Sequence, residues 1–114
     1  MKYSLIIPVY NEEKTVNRLL KSLDKYSRII EIIIINDGSN DKTKSLLDKK
    51  NSFKIIHNKK NRGKGFSITK GIELATKKNV ILMDGDLEVK LNQIPMVMQN
   101  FESSNKDGLV GRSV

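Results

Sequence analysis

The sequence contains no cysteine, no tryptophan and a single histidine. Without cysteine there is neither a disulfide framework nor a thiolate metal site. Three Tyr and three Phe are the only aromatics, which leaves little to stack against single-stranded bases. No apolar run approaches the ~20 residues of a membrane helix. The apolar core of "MKYSLIIPVY" is too short for a signal peptide and serves better as a strand. A cytoplasmic, reducing location is the default expectation. Acids are the minority charge, with 13 Asp and Glu against 21 Lys and Arg, giving a net charge of +8. That balance suits an anionic partner, or simply a lysine-rich surface, since only four of the cations are Arg.

The 114 residues are enough for one modest domain with a single core. Apolar runs alternate with helical patterns. "YSLIIPV" (Tyr3 to Val9) reads as a buried strand. Asn11 is placed to cap a following helix, with Glu12 and Glu13 in its first turn. Val16, Leu19, Leu20 and Leu23 then form one apolar face. "IIEIIIIND" (Ile29 to Asp37) lacks polar alternation over Ile32 to Ile35, so both its faces should be covered, as in a parallel sheet. Asn40 or Asp41 can cap a second helix running to about Lys50. "FKIIH" (Phe53 to His57) predicts a third strand, Ile68, Ile72 and Ala75 a third helix, and "VILM" (Val80 to Met83) a fourth strand. A helix over Gln93 to Phe101 and a short strand "GLVG" follow. The order predicts a doubly wound α/β fold with right-handed crossovers.

Ligands of such sheets bind outside the carboxyl ends of the strands. The unusual polar clusters all fall there: "PVYNEE", "NDGSND", "NKKNRGKG" and "DGDLE". Asp84 and Asp86 flank Gly85, and Glu88 follows. Carboxylates so grouped are hard oxygen ligands for Mg²⁺ or Mn²⁺, although Asp and Gly also make ordinary surface turns. Asp37 ends a very apolar strand, where it can accept from a nucleobase N–H or close an Asx-turn with Gly38. Glu12 can contact a ligand or favour a helix N-terminus. Arg62 and Lys64 can face phosphate or base, or belong to a solvated basic loop. "GKGFSITKG" is neither a Walker A loop nor a dinucleotide fingerprint. His57 has no carboxylate or second histidine close in sequence and reads as structural.

Four blocks, "LIIPVYNEEKTV", "IIIINDGSNDKT", "NKKNRGKGFSITKGIELA" and "VILMDGDLE", resemble in order and spacing the family 2 glycosyltransferases of GT-A fold. The nearest likeness is to the dolichyl- and polyprenyl-phosphate sugar transferase branch. The resemblance implies a three-layer, mainly parallel GT-A sheet, truncated, with residues 1–114 as the nucleotide-sugar-binding part of a longer domain. Pro8, Tyr10 and Glu12 match the block lining the nucleoside pocket. Asp37 matches the acid that reads the base, and Asn36 stands where many members have a second Asp. Arg62 and Lys64 match the basic loop beside base and phosphates. Asp84 matches the first acid of the D-x-D motif, near the ribose. Asp86 matches the direct ligand of a divalent metal, and Glu88 stands where the branch often has Gln.

The implied reaction is metal-dependent, inverting transfer of a sugar from a UDP- or GDP-linked donor to a hydroxyl or lipid phosphate. Members continue well past the D-x-D block, and any general base is expected in that missing half. The fragment alone is therefore expected to bind nucleotide and turn over poorly or not at all. Its exposed sheet edge invites homo-oligomers, and the full-length protein would sit on the cytoplasmic face of a membrane. Two other readings compete. A nucleotidyltransferase would want a Gly-rich basic loop after the first strand, where this chain has "VYNEE". A non-catalytic nucleotide or polyanion binder driven by charge would be indifferent to the acids. Nucleic acid is not the expected partner.

Overall fold

A computed structural model of the chain describes residues 2–50 and 52–83, and the backbone of residues 109–113. Five strands form one sheet: β1 (Tyr3–Val9), β2 (Glu31–Asn36), β3 (Lys54–His57), β4 (Asn79–Leu82) and β5 (Leu109–Ser113). Their order is β3-β2-β1-β4-β5, and every neighbouring pair is parallel. Among the described residues, three α-helices lie between β1 and β4: α1 (Val16–Leu23), α2 (Thr43–Asp48) and α3 (Lys64–Leu74). No helix among the described residues is long and apolar enough to cross a membrane.

The unbroken apolar strands are explained by cover on both faces. Leu5, Ile7, Val9, Ile32 and Ile34 point into one core with Val16, Leu19, Leu20 and Leu23 of α1 and Leu47 of α2. The residues between them, Ile6, Ile33 and Ile35, form a second core with Val80, against which Leu74 and Ala75 pack from the α3 side. Helix, sheet and helix therefore make three layers. Gly71 lets α3 approach β1 closely, since a Cβ there would lie 2.5 Å from Cγ2 of the fully buried Ile6.

The largest differences from the boundaries read in the sequence are at α1 and α3. α1 starts at Val16, one turn later than a cap at Asn11 requires. Asn11 takes a left-handed conformation with φ 50, and the Glu12 carbonyl accepts from the N–H groups of Thr15 and Val16 at 3.0 and 2.8 Å. Those bonds form a separate turn ahead of the helix. α3 ends at Leu74, and "GLVG" extends to β5, which pairs with β4. The helix expected over Gln93 to Phe101 lies outside the described residues.

The amino end of β2 is fastened by Glu31. Its carboxylate accepts from the Ser4 hydroxyl at 2.6 Å, the Thr76 N–H at 2.9 Å and the Thr76 hydroxyl at 2.8 Å, and pairs with Lys54 at 2.8 Å. Burial alone would raise its pKa, but Lys54, Ser4 and Thr76 outweigh it and hold the carboxyl at about 2, against an ordinary 4.5. A carboxyl depressed on folding stabilises the fold above its unfolded pKa and loses that contribution as pH falls toward the folded value. Allowing for solvent screening, the contribution is on the order of 1–2 kcal/mol. Urea denaturation between pH 6 and about 2 should therefore show a loss of that size which Glu31→Gln lacks. Parallel pH curves for the two proteins would remove Glu31 from the account.

Candidate functional site

Parallel strands bring all their carboxyl ends to one edge, and the loops there are tied to each other more than to their own neighbours. The Asn11 N–H donates to Ser39 Oγ at 2.9 Å, and the Asn40 N–H donates to Asn11 Oδ1 at 2.9 Å. The Glu12 N–H donates to Thr43 Oγ1 at 2.8 Å, and the Glu13 N–H to Asp41 Oδ2 at 3.3 Å. Asn11 can meet two partners on the second loop because its left-handed backbone turns both its N–H and its side chain that way. Asp41 Oδ1 also accepts from the Thr43 N–H at 2.9 Å, so it opens α2 through an Asx-turn. Burial pushes the Asp41 carboxyl up, but the Thr43 and Glu13 bonds together hold it below the ordinary value. The Glu12 carboxylate accepts from the Thr15 hydroxyl at 2.9 Å. Tyr10 stands out at 42 % exposed beside the half-buried Pro8.

Asp37 is the centre of the edge. It is 4 % exposed, and its own N–H donates to the Val9 carbonyl at 2.8 Å. Oδ1 accepts from the Arg62 N–H at 2.7 Å and from Asn58 Nδ2 at 3.0 Å. Oδ2 accepts from the Gly63 N–H at 2.9 Å and from Asn61 Nδ2 at 3.2 Å. One carboxylate thus fastens the whole 58–63 segment. Gly38, at φ 73, receives the backbone of that segment, since a Cβ there would stand 2.3 Å from the Lys60 carbonyl carbon and 2.4 Å from the Asn61 nitrogen. Gly63, at φ 97 and ψ 158, turns the chain into α3, a backbone state that is essentially glycine's alone.

Next to this clamp runs a second chain of hydrogen bonds. Asn36 Oδ1 accepts from the Ser39 hydroxyl at 2.5 Å and the Ser39 N–H at 3.2 Å. That turns Asn36 Nδ2 toward His57 Nδ1 at 2.9 Å, so Nδ1 accepts. The proton of His57 is then on Nε2, which meets Asp48 Oδ1 at 2.7 Å. His57 accordingly joins α2 to the end of β2, in keeping with a structural role. Its carboxylate partner lies nine residues upstream, on the preceding helix.

The expected site residues fall on or beside three of the four loops. Pro8 is in the last residues of β1, Tyr10 and Glu12 are on the first loop, Asp37 is on the second, and Arg62 and Lys64 straddle the start of α3. Arg62 carries its guanidinium over the Phe66 ring at 4.8 Å. Met83 reaches the same edge, its N–H on the Ile6 carbonyl at 3.0 Å. Asp84, Asp86 and Glu88 lie outside the described residues. Among the described residues no group of three or more His, Cys, Asp or Glu could hold a metal ion. Asn58, Asn61 and Ser39 were missed in the sequence. Their only signal is amide and hydroxyl content in loops bordering a buried carboxylate.

The sequence profile described as "Glycosyl transferase family 2" matches residues 4–114. An uncharacterised protein of Methanocaldococcus jannaschii is 34% identical over 93% of this chain and 49% of its own length. Dodecaprenyl-phosphate galacturonate synthase of Rhizobium johnstonii is 29% identical over 97% of this chain and 36% of its own. Among solved structures, S. aureus TarS in complex with UDP-GlcNAc matches with a TM-score of 0.70 and 27% identity, over 90% of this chain and 32% of that one. The chain spans half or less of the length of each of these proteins.

Proposed function

Because this chain belongs to glycosyl transferase family 2, we propose that it is the donor-binding part of an inverting sugar transferase using a nucleotide sugar. The observation that carries the reading is the gathering of three loops at the edge where α/β sheets bind ligands, the loops after β1 and β2 joined through Asn11, Ser39 and Asn40, and the loops after β2 and β3 joined through the Asp37 carboxylate. Pro8 at the end of β1 and Tyr10 and Glu12 on the first loop would line the nucleoside pocket. Asp37, Arg62 and Lys64 would form its second wall, and Asp84 would reach the ribose. Asp86 and Glu88, as hard oxygen donors, would hold Mg²⁺ or Mn²⁺. Such an ion supplies charge neutralisation for the departing diphosphate. Similarity to dodecaprenyl-phosphate galacturonate synthase favours a polyprenyl phosphate as acceptor. That anion can attack without a strong base.

Calorimetric titration of UDP and of GDP, with and without Mn²⁺, tests the reading. One nucleotide should bind in a metal-dependent manner, and Asp86→Ala should weaken that binding by about tenfold or more. Folded protein that binds neither nucleotide would overturn the donor-site assignment.

A further inference from the structure

A line of side-chain hydrogen bonds runs from the exposed flank of α2 to the loop after β1. Asp48 Oδ1 meets His57 Nε2 at 2.7 Å, and His57 Nδ1 meets Asn36 Nδ2 at 2.9 Å. Asn36 Oδ1 accepts from the Ser39 hydroxyl and N–H, and Ser39 Oγ accepts from the Asn11 N–H at 2.9 Å. The Asn40 N–H adds a second tie, to Asn11 Oδ1. Asn11 stands between Tyr10 and Glu12. Its left-handed backbone, at φ 50, is a conformation that surrounding contacts must hold.

Each bond of this line has a direction. Asn36 is 1% exposed, so water cannot take the place of a lost partner. The two Ser39 donors fix its oxygen, which leaves the amide hydrogens to face His57. The line therefore closes only while Nδ1 is bare, with the imidazole neutral. A second proton would set an N–H against the Asn36 amide hydrogens. Turning that amide over does not remove the conflict. It passes it to Ser39, whose backbone N–H would then face Nδ2. Ser39 is the residue that holds Asn11.

An imidazole takes up its second proton in the range of about pH 5 to 8. Asp48, from α2, favours the added charge, but its carboxylate is 56% exposed and pairs so open to water add little. Lys59, Lys60, Arg62 and Lys70 share a pocket wall with His57 and oppose it, and Asn36, from β2, is uncharged. We propose that His57 is a positioning residue for the nucleoside pocket, and that only its neutral form holds the loop of Tyr10 and Glu12 in the nucleotide-binding arrangement. The pocket itself rests on the donor reading, whereas the hydrogen-bond line stands without it.

Two measurements test this, the first without nucleotide. Shifts of the isotopically labelled chain are followed from about pH 8 to about pH 5. The His57 ring, the Asn36 side-chain amide and the backbone amides of Ser39 and Asn11 should move along one curve. Ser39→Ala should uncouple Asn11 from the ring. His57→Asn can offer an oxygen near the place of Nδ1 and takes up no proton, so its Asn36, Ser39 and Asn11 signals should stay flat. If that variant does not fold, the parent curves still decide: Ser39 and Asn11 amides that stay still while the ring titrates would overturn the proposal. The second measurement titrates UDP and GDP with Mn²⁺ at about pH 7.5 and about pH 5.5. Comparing parent with His57→Asn cancels the titration of the nucleotide's own phosphates. Between the two pH values the parent should lose about tenfold more affinity than the variant, the worth of one hydrogen bond. Binding with equal losses in both proteins would overturn the positioning role alone. Shifts that move together in a chain that binds neither nucleotide at neutral pH would overturn the donor reading, and the positioning of that pocket with it.

Discussion

Asp37→Asn will melt roughly 10 °C lower than the parent and lose the nucleotide binding proposed above, although it changes a single oxygen to nitrogen. The carboxylate accepts two donors on each oxygen. An amide offers one accepting face and one donating face. Whichever way it turns, two donors of the 58–63 segment meet an N–H₂ group. One of those two is a backbone N–H, of Arg62 or of Gly63, which cannot rotate away. Hydrogen bonds to a charged group contribute about 1.5–3 kcal/mol each, and unmet buried donors add their desolvation cost, so a loss of about 2–4 kcal/mol is expected. Amide exchange gives the local readout. Protection at Arg62 and Gly63 should fall far more than protection in β1. If those two amides stay as protected as in the parent, Asp37 does not hold the segment.

How much of this was visible in the sequence depends on how far apart the partners lie. The Ile32 to Ile35 run announced cover on both faces, because burial on two sides leaves a pattern within one strand. The site is written in contacts across the chain. Asn11 looks like a helix cap locally, yet its partners are Ser39 and Asn40, 28 and 29 residues away. Asp37 offered two local roles, a ligand-reading acid or an Asx-turn. The structure adds a third: its side-chain partners lie 21 to 26 residues on. No periodicity encodes such a pairing. Asn58 and Asn61 sit in a lysine-rich loop, and as amides they carry no charge to draw notice. The acids at 84, 86 and 88 remain legible only as sequence.

Gly38→Ala should reproduce most of the Asp37→Asn defect without touching a polar atom. At φ 73 an added Cβ carries a backbone penalty of about 1 kcal/mol. The larger cost is steric. The Cβ would lie 2.3 Å from the Lys60 carbonyl carbon and 2.4 Å from the Asn61 nitrogen, both backbone atoms. That peptide cannot swing aside like a side-chain tip. Moving it by about an ångström drags the adjacent Arg62 and Gly63 amides off the carboxylate, for a total loss of about 2–4 kcal/mol. Both substitutions then act by releasing one segment, and a segment already released cannot be released again. The double variant should therefore lose much less stability than the two single losses added together, by at least ~1 kcal/mol in a denaturation cycle. Losses that add to within ~0.5 kcal/mol would mean that Asp37 and Gly38 act separately, and the clamp as described would be wrong.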